Sequence, residues 1–238
     1  MPLANPAHLP ALIAACRSVL TSSGPIEVAE EYGYASLPLC VIDSVFSIGV
    51  RYESVRNVIE RYCLRFGLPK QAPKGTVPAR EQQESITAFL VRVVPIDASL
   101  LATEVFGNRQ RTSTHNGILK ADAVVQFAGV LARHRIEHLQ DVLEAHDLAA
   151  VEGDVRRIQG QSSGLSWRYF LMLAGREDLV KPDRMIFRFL ERVIGRPVGP
   201  DEAQAMLTAA ACELDREFPG IKPRTLDNLI WRQERNRA

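Results

Sequence analysis

The residues from Ile158 to Arg188, IQGQSSGLSWRYFLMLAGREDLVKPDRMIFR, hold the side chains best placed to do chemistry. Asp183 follows Pro182 and opens an amphipathic run in which Ile186, Phe187, Leu190 and Ile194 share a face. A carboxylate there accepts backbone N–H bonds at a helix start and suits the positive end of the helix dipole. A cap alone accounts for such a residue. The same surroundings hold the carboxylate ionised, and an ionised carboxylate can stabilise a sugar oxocarbenium ion or align a water molecule. Upstream, Gly160 and Gly164 flank Ser162 and Ser163. A loop of this kind turns tightly and leaves N–H groups at the start of the next helix, an anion site that suits a phosphate. Arg156, Arg157 and Arg168 add charge close by. An ordinary helix connection capped by Ser162 or Ser163 accounts for the same residues.

The remaining candidates are weaker. His134 and His138 stand four apart in RHRIEH, a spacing that lets two metal ligands share a helix face. Arg135 follows His134 in place of the glutamate of the metalloprotease motif, and a solvated basic face explains the pair. Cys16, Cys40, Cys63 and Cys212 lack the short spacings of a zinc site or a cluster and read as small buried groups. Ser162, Ser163 and Ser166 have no histidine near them in sequence to form a triad. Trp167, Tyr169 and Phe170 can stack on a base, though an apolar helix ordinarily packs its aromatics in a core.

Helices must position these residues. Apolar spacing predicts them over residues 8–21, from Pro38 to Phe46, from Arg51 to about Phe66, over 81–94, from an Asp97 cap through Phe106, over 118–134, and as one or two short elements in 138–158. Further helices follow at 168–175, from Asp183, over 201–216 and over 223–235, where Trp231 is expected to anchor the last one. Residues 68–80 and 107–117 read as polar loops, the second carrying Asn108, Arg109 and Arg111. The pattern is all-α.

Composition sets the outer limits. The 238 residues are 46% hydrophobic with a net charge of +1, so nucleic-acid binding would need a local patch rather than a global field. Apolar runs fall short of the roughly 20 residues that span a bilayer, so no membrane partner is expected. No basic start with an apolar core marks a signal peptide, and a cytoplasmic protein is expected, nucleoid-associated if bacterial.

The stretch resembles the helix-hairpin-helix–GPD superfamily of DNA glycosylases, which includes endonuclease III. There an L-P-G-x-G-x-x-T-A hairpin precedes an apolar helix and then a catalytic aspartate opening the next helix. Here IQGQSSGLSW stands for the hairpin, RYFLMLAG for the helix and PDRMIFRFL for the aspartate helix. Counting back from Asp183 without gaps puts Ser166 at the threonine, and the hairpin then holds one extra residue. PLCVIDSVFSIGVRYESVRNVIERY is similar to the family's early helix pair, with Gly49 to Tyr52 in the loop that probes the minor groove. The likeness covers residues 37–195.

The resemblance implies a two-lobed all-α fold with a cleft between the lobes. One helical domain would span 36–165 and end in the hairpin, and 1–35 with 166–238 would form the second lobe carrying Asp183. It implies a monomer acting on double-stranded DNA, with Asp183 catalytic and Gly160, Ser162, Ser163, Gly164, Ser166, Arg51 and Tyr52 on the DNA. Ser162 or Ser163 replaces the second hairpin glycine. The nucleophilic lysine of bifunctional members falls on Leu165, or on Gly164 in the other register, which leaves no Schiff base. The four-cysteine cluster is missing, so no iron–sulfur centre is expected. A monovalent cation at the hairpin is the one cofactor the family suggests. The glutamine of the probing loop falls on Gly49. The activity implied is hydrolysis of a flipped base without strand cleavage. A non-catalytic DNA-binding protein of the same fold and a protein-interaction module capped by Asp183 are the alternatives.

Overall fold

The computed structural model describes residues 8–24, 30–50 and 52–237. Among them the chain is helical: α1 (Leu9–Ser22), α2 (Leu37–Phe46), α3 (Tyr52–Phe66), α4 (Ile86–Val93), α5 (Ala98–Leu100), α6 (Lys120–Arg133), α7 (Leu139–Glu144), α8 (Ala149–Arg156), α9 (Leu165–Leu173), α10 (Arg184–Ile194), α11 (Pro200–Leu214) and α12 (Pro223–Arg237). Isolated bridges join Tyr34 to Gln71 and Arg111 to Leu119. The α-helix of the 81–94 segment is confined to α4, whose N-cap Ser85 accepts the Ala88 N–H. Asp97 caps α5 as expected, and a single π turn, Leu101–Val105, continues it. No helix among the described residues is long and apolar enough to cross a membrane.

Contacts divide the chain into two compact units, Glu30–Gly175 and Met1–Ala29 with Arg176–Ala238. The first is built round α2, whose ten residues are all buried. An apolar stripe of Leu39, Ile42, Val45 and Phe46 was the expectation. The helix is instead covered on every side, by α3, α4, α6 and α9, so even Asp43 and Ser44 lie inside. Asp43 accepts the Tyr34 hydroxyl at 2.7 Å. Phe127, Trp167 and Phe170 stack in the same core, with Phe127 and Phe170 ring centres 5.1 Å apart. That stacking explains why α9 belongs to this unit, which runs to Gly175, past the boundary at 165 drawn from sequence.

The second unit gathers α1, α10, α11 and α12, with Leu12, Val19, Ile186, Leu190, Met206 and Leu207 in its core. Arg192 of α10 forks onto Glu234 of α12, at 3.0 and 2.5 Å, and the Glu234 side chain is fully buried. A bidentate pair of this kind fixes the register of two helices as well as joining them.

Candidate catalytic carboxylate and nucleic-acid interface

Asp183 is the N-cap of α10, in extended backbone at φ −95°. Its Oδ1 accepts the N–H groups of Met185 at 2.8 Å and Ile186 at 3.3 Å. Both capping bonds fall on one oxygen, so Oδ2 takes no part in the cap. The side chain is half-buried. Geometry of this kind holds a carboxylate in one orientation while keeping an oxygen for other work.

The hairpin sits in the other unit. Gly160 and Gly164 both adopt left-handed backbone, at φ +86° and +73°, and Gly164 is the N-cap of α9. The Gln161 N–H bonds Ile158 O at 2.9 Å, the Gly164 N–H bonds Gln161 O at 3.0 Å, and the Leu165 N–H bonds Ser163 Oγ at 3.3 Å. Several amides are thus spent inside the turn, and the groups exposed at its tip are Ser162 and Ser163. Ser166 is only 2% exposed, and its buried hydroxyl has no hydrogen-bond partner. It faces the core of its unit, as Trp167 and Phe170 do, and so leaves the set of DNA-contacting residues. Leu165 opens the helix after Gly164, and neither offers an amine.

Arg156 lies against the hairpin from within. Its Nε donates to Ser162 O at 3.1 Å, a terminal nitrogen donates to Ser163 O at 3.4 Å, and the other pairs with Glu152 at 3.1 Å. A cation at the hairpin would need carbonyl oxygens. Those of Ser162 and Ser163 accept from a guanidinium, and those of Ile158, Gln161 and Gly164 accept backbone N–H groups. A positive charge and donors are already supplied, so this donor set does not fit the expected monovalent ion. Arg157, expected to add charge for a phosphate, pairs with Asp154.

Three loops meet in this unit. Thr112 packs on Gly160, Gln159 donates to Asn116 O, and Asn108 donates to Ser54 Oγ at 3.2 Å. Arg111 donates to Gly117 O at 2.6 Å, and Arg109 and Arg111 are both exposed. Gly49 is exposed with φ +70° at the head of the α2–α3 loop. Tyr52 is the first residue of α3 and half-buried, and Arg51 lies outside the described residues. The keystone is Lys120, which the sequence reading missed. It is 3% exposed, and its ammonium donates to Phe46 O at 2.9 Å, Ile48 O at 2.7 Å and Gln110 Oε1 at 3.4 Å. Burial pushes its pKa down to about 8. One clue was present: a lysine in the first turn of a helix opposes the dipole, which signals another use for the charge. Here the charge faces the carbonyl end of α2.

The histidine pair does not share a helix face. α6 ends at Arg133, Arg135 turns with φ +58°, and His138 caps α7. His134 bonds Asp154 at 2.8 Å, and that bond is the main reason the Asp154 carboxyl is held below the usual range. Among the described residues no group of three or more His, Cys, Asp or Glu side chains is arranged to hold a metal ion.

The packing of Thr112 on the hairpin gives a stability test. A Cβ added at Gly160 would stand 2.6 Å from Thr112 Oγ1, in left-handed backbone. Gly160→Ala is expected to destabilise the protein by about 2–4 kcal/mol, combining αL strain with overpacking. Gly195→Ala, at φ +79° with nothing within 4 Å, meets the strain alone and should cost less in urea unfolding. Thr112→Gly added to Gly160→Ala should recover the steric share. Equal losses at Gly160 and Gly195 would contradict this packing.

A family model described as Domain of unknown function (DUF8548) matches residues 10–235. The chain belongs to that family. No curated protein matches. A solved structure of MBOgg1 in complex with low affinity DNA ligand is similar, with a TM-score of 0.60 and 16% identity. The match covers 97% of this chain and 70% of that one. At this identity the likeness is one of fold alone, and that fold is all-α.

Proposed function

We propose that the protein is a monofunctional DNA glycosylase that hydrolyses the N-glycosidic bond of a damaged or mismatched base flipped from duplex DNA. The observation that carries this reading is Asp183: a half-buried carboxylate capping α10 through one oxygen, in a chain with the fold of a DNA-bound protein. In this reading the exposed Ser162–Ser163 tip meets the phosphate backbone, and the loop after α2 enters the minor groove where the base leaves the stack.

The chemistry needs little else. As the C1′–N bond breaks, its electron pair leaves with the base and positive charge builds on the sugar. The Asp183 carboxylate stabilises that charge and accepts a proton from the water that forms the new C1′–O bond. The departing base takes up a proton, and the product is an abasic site in an uncut strand. Strand cleavage through a Schiff base would need a free amine. Leu165 and Gly164 supply none, and Lys120 is committed to carbonyls inside its unit.

The test is a panel of duplexes, each carrying one deaminated, alkylated or oxidised base, incubated with the protein and read with and without alkali. Cleavage that appears only after alkali is expected for at least one duplex. A non-catalytic DNA-binding protein of the same fold is the second reading, favoured by the serines that replace a glycine at the hairpin tip. It predicts salt-dependent duplex binding with no alkali-labile site on any substrate. Absence of duplex binding at moderate salt would overturn both readings and leave Asp183 a cap in an interaction module.

A further inference from the structure

The segment that delivers Asp183 to the start of α10 is held by side chains from the two helices that follow it. Arg224 of α12 pairs with Glu177 at 2.7 Å, and its N–H bonds Glu177 O at 3.1 Å. Gln204 of α11 brackets the next residues, donating to Asp178 O at 2.8 Å and accepting the Val180 N–H at 2.8 Å. Asp227 of α12 accepts the Lys181 N–H at 3.0 Å. The Asp183 N–H then closes on Lys181 O at 2.7 Å. Asp227 and Asp183 therefore hold the same residue from its two sides, Asp227 at the Lys181 N–H and Asp183 at the Lys181 carbonyl.

Asp227 differs from the other clamps in being an acid inside the unit. It is 4% exposed. Burial first, and then the negative charge of Asp183, push its carboxyl well above the usual range, against the opposing pull of Lys181 and its N–H. Of the charged groups nearby, Arg224 pairs with Glu177, and Arg192 pairs with Glu234 further along α12. The faces of α1 and α11 that pack on α12 are apolar, with Leu12, Val19, Met206 and Leu207, and burial holds the Cys16 thiol at about 12.

We propose that Asp227 is a positioning residue that fixes, through the backbone of Lys181, where the Asp183 carboxylate stands. It does so as an uncharged acid. Two carboxyl groups in one electrostatic neighbourhood divide into a neutral and a charged member, and here the deeper one keeps the proton. Asp183 keeps an oxygen outside the cap. Gln204 holds the segment one residue earlier with a group that never ionises, which is the same design at the next peptide. The catalytic part of this inference rests on the glycosylase reading of Asp183; the clamp and the protonation do not.

The experiment uses the full chain, with Asp227→Asn and Asp227→Ala. Asparagine keeps a neutral acceptor for the Lys181 N–H, and alanine keeps none. On a released base, Asp227→Asn should keep kcat within about threefold, while Asp227→Ala should lose on the order of a hundredfold in kcat with KM little changed, the scale expected of a misplaced catalytic group. A purely structural residue would lower the folded fraction and leave the kcat of folded protein alone, and that outcome overturns the proposal.

The pH arm needs no substrate. With its folded pKa raised, Asp227 keeps a proton that the unfolded chain gives up, so wild-type stability falls as pH rises from the ordinary carboxylate range toward that raised value. Asp227→Asn removes this loss. It should equal or exceed the wild type in Tm at pH 7.5, and the advantage should vanish near pH 3. Carbon-13 titration of the aspartate carboxyls should show Asp227 titrating well above the ordinary carboxylate range, and Lys181 and Asp183 amides should exchange faster in Asp227→Ala. If the wild type releases no base from any substrate, the glycosylase reading fails alone, and this arm still decides the clamp. An Asp227 carboxyl that titrates in the ordinary range, or unchanged exchange in Asp227→Ala, overturns it.

Discussion

Asp183→Asn is expected to lower base release by about 10²–10⁴-fold, the range associated with losing a positioned acid–base group, while leaving the fold intact. The two roles of this residue separate cleanly here. Asparagine is as good an N-cap as aspartate, and the Met185 and Ile186 N–H groups still find an oxygen. Stability should therefore move by a few tenths of a kcal/mol, while the charge that would face the sugar is gone. Asp183→Ala removes both and should cost about 1 kcal/mol in stability as well. Single-turnover base release and urea unfolding, run on the same three proteins, give the answer. Undiminished release by Asp183→Asn would remove the carboxylate from the mechanism.

Lys120→Met should strongly destabilise the Glu30–Gly175 unit. Methionine fills much of the volume, but the carbonyls of Phe46 and Ile48 lose their donor. Unsatisfied buried acceptors cost about 1–3 kcal/mol each, offset in part because burying the ammonium was itself unfavourable. A net loss of about 2–4 kcal/mol is expected. The pH profile carries the signature. Lys120 falls from an ordinary 10.5 to about 8 in the fold, so the folded chain sheds this proton first. Between those values the unfolded chain binds more protons, and the contribution of Lys120 to stability rises with pH. The wild type should show that rise relative to Lys120→Met in urea melts at pH 7.5, 9 and 10. A difference that stays constant across the series would mean the ammonium is not desolvated. Duplex binding should weaken in parallel, because the α2–α3 and 107–117 loops both end on this side chain.

Local pattern made part of this legible. Pro182, Asp183 and the apolar run after them announce a capped helix within a dozen residues, and the structure supplies the cap that was expected. The left-handed glycines of the hairpin were visible for the same reason. What escaped was set by distant partners. Apart from the unfavourable place of Lys120 at the start of α6, nothing within a turn of Lys120 or Asp227 says that it is buried. The burial comes from Phe46 and Ile48, some 70 residues away, and from Lys181, 46 residues away. Ser166 was placed by counting against a motif, whereas helical phase turned its hydroxyl inward with Trp167 and Phe170. The helical spacing of His134 and His138 failed because a turn at Arg135 ends α6 between them.

The order of the units along the chain sets an order of events during synthesis. α1 leaves the ribosome early, yet its partners α10, α11 and α12 begin only at Arg184, Pro200 and Pro223. At about 5–20 residues per second, the apolar face of Leu12, Cys16 and Val19 waits roughly 10–30 s for anything to cover it. The whole of Glu30–Gly175 emerges in that interval and can fold as a contiguous piece. The half of the protein that carries Asp183 is therefore completed last, by α12, the helix that brings Asp227.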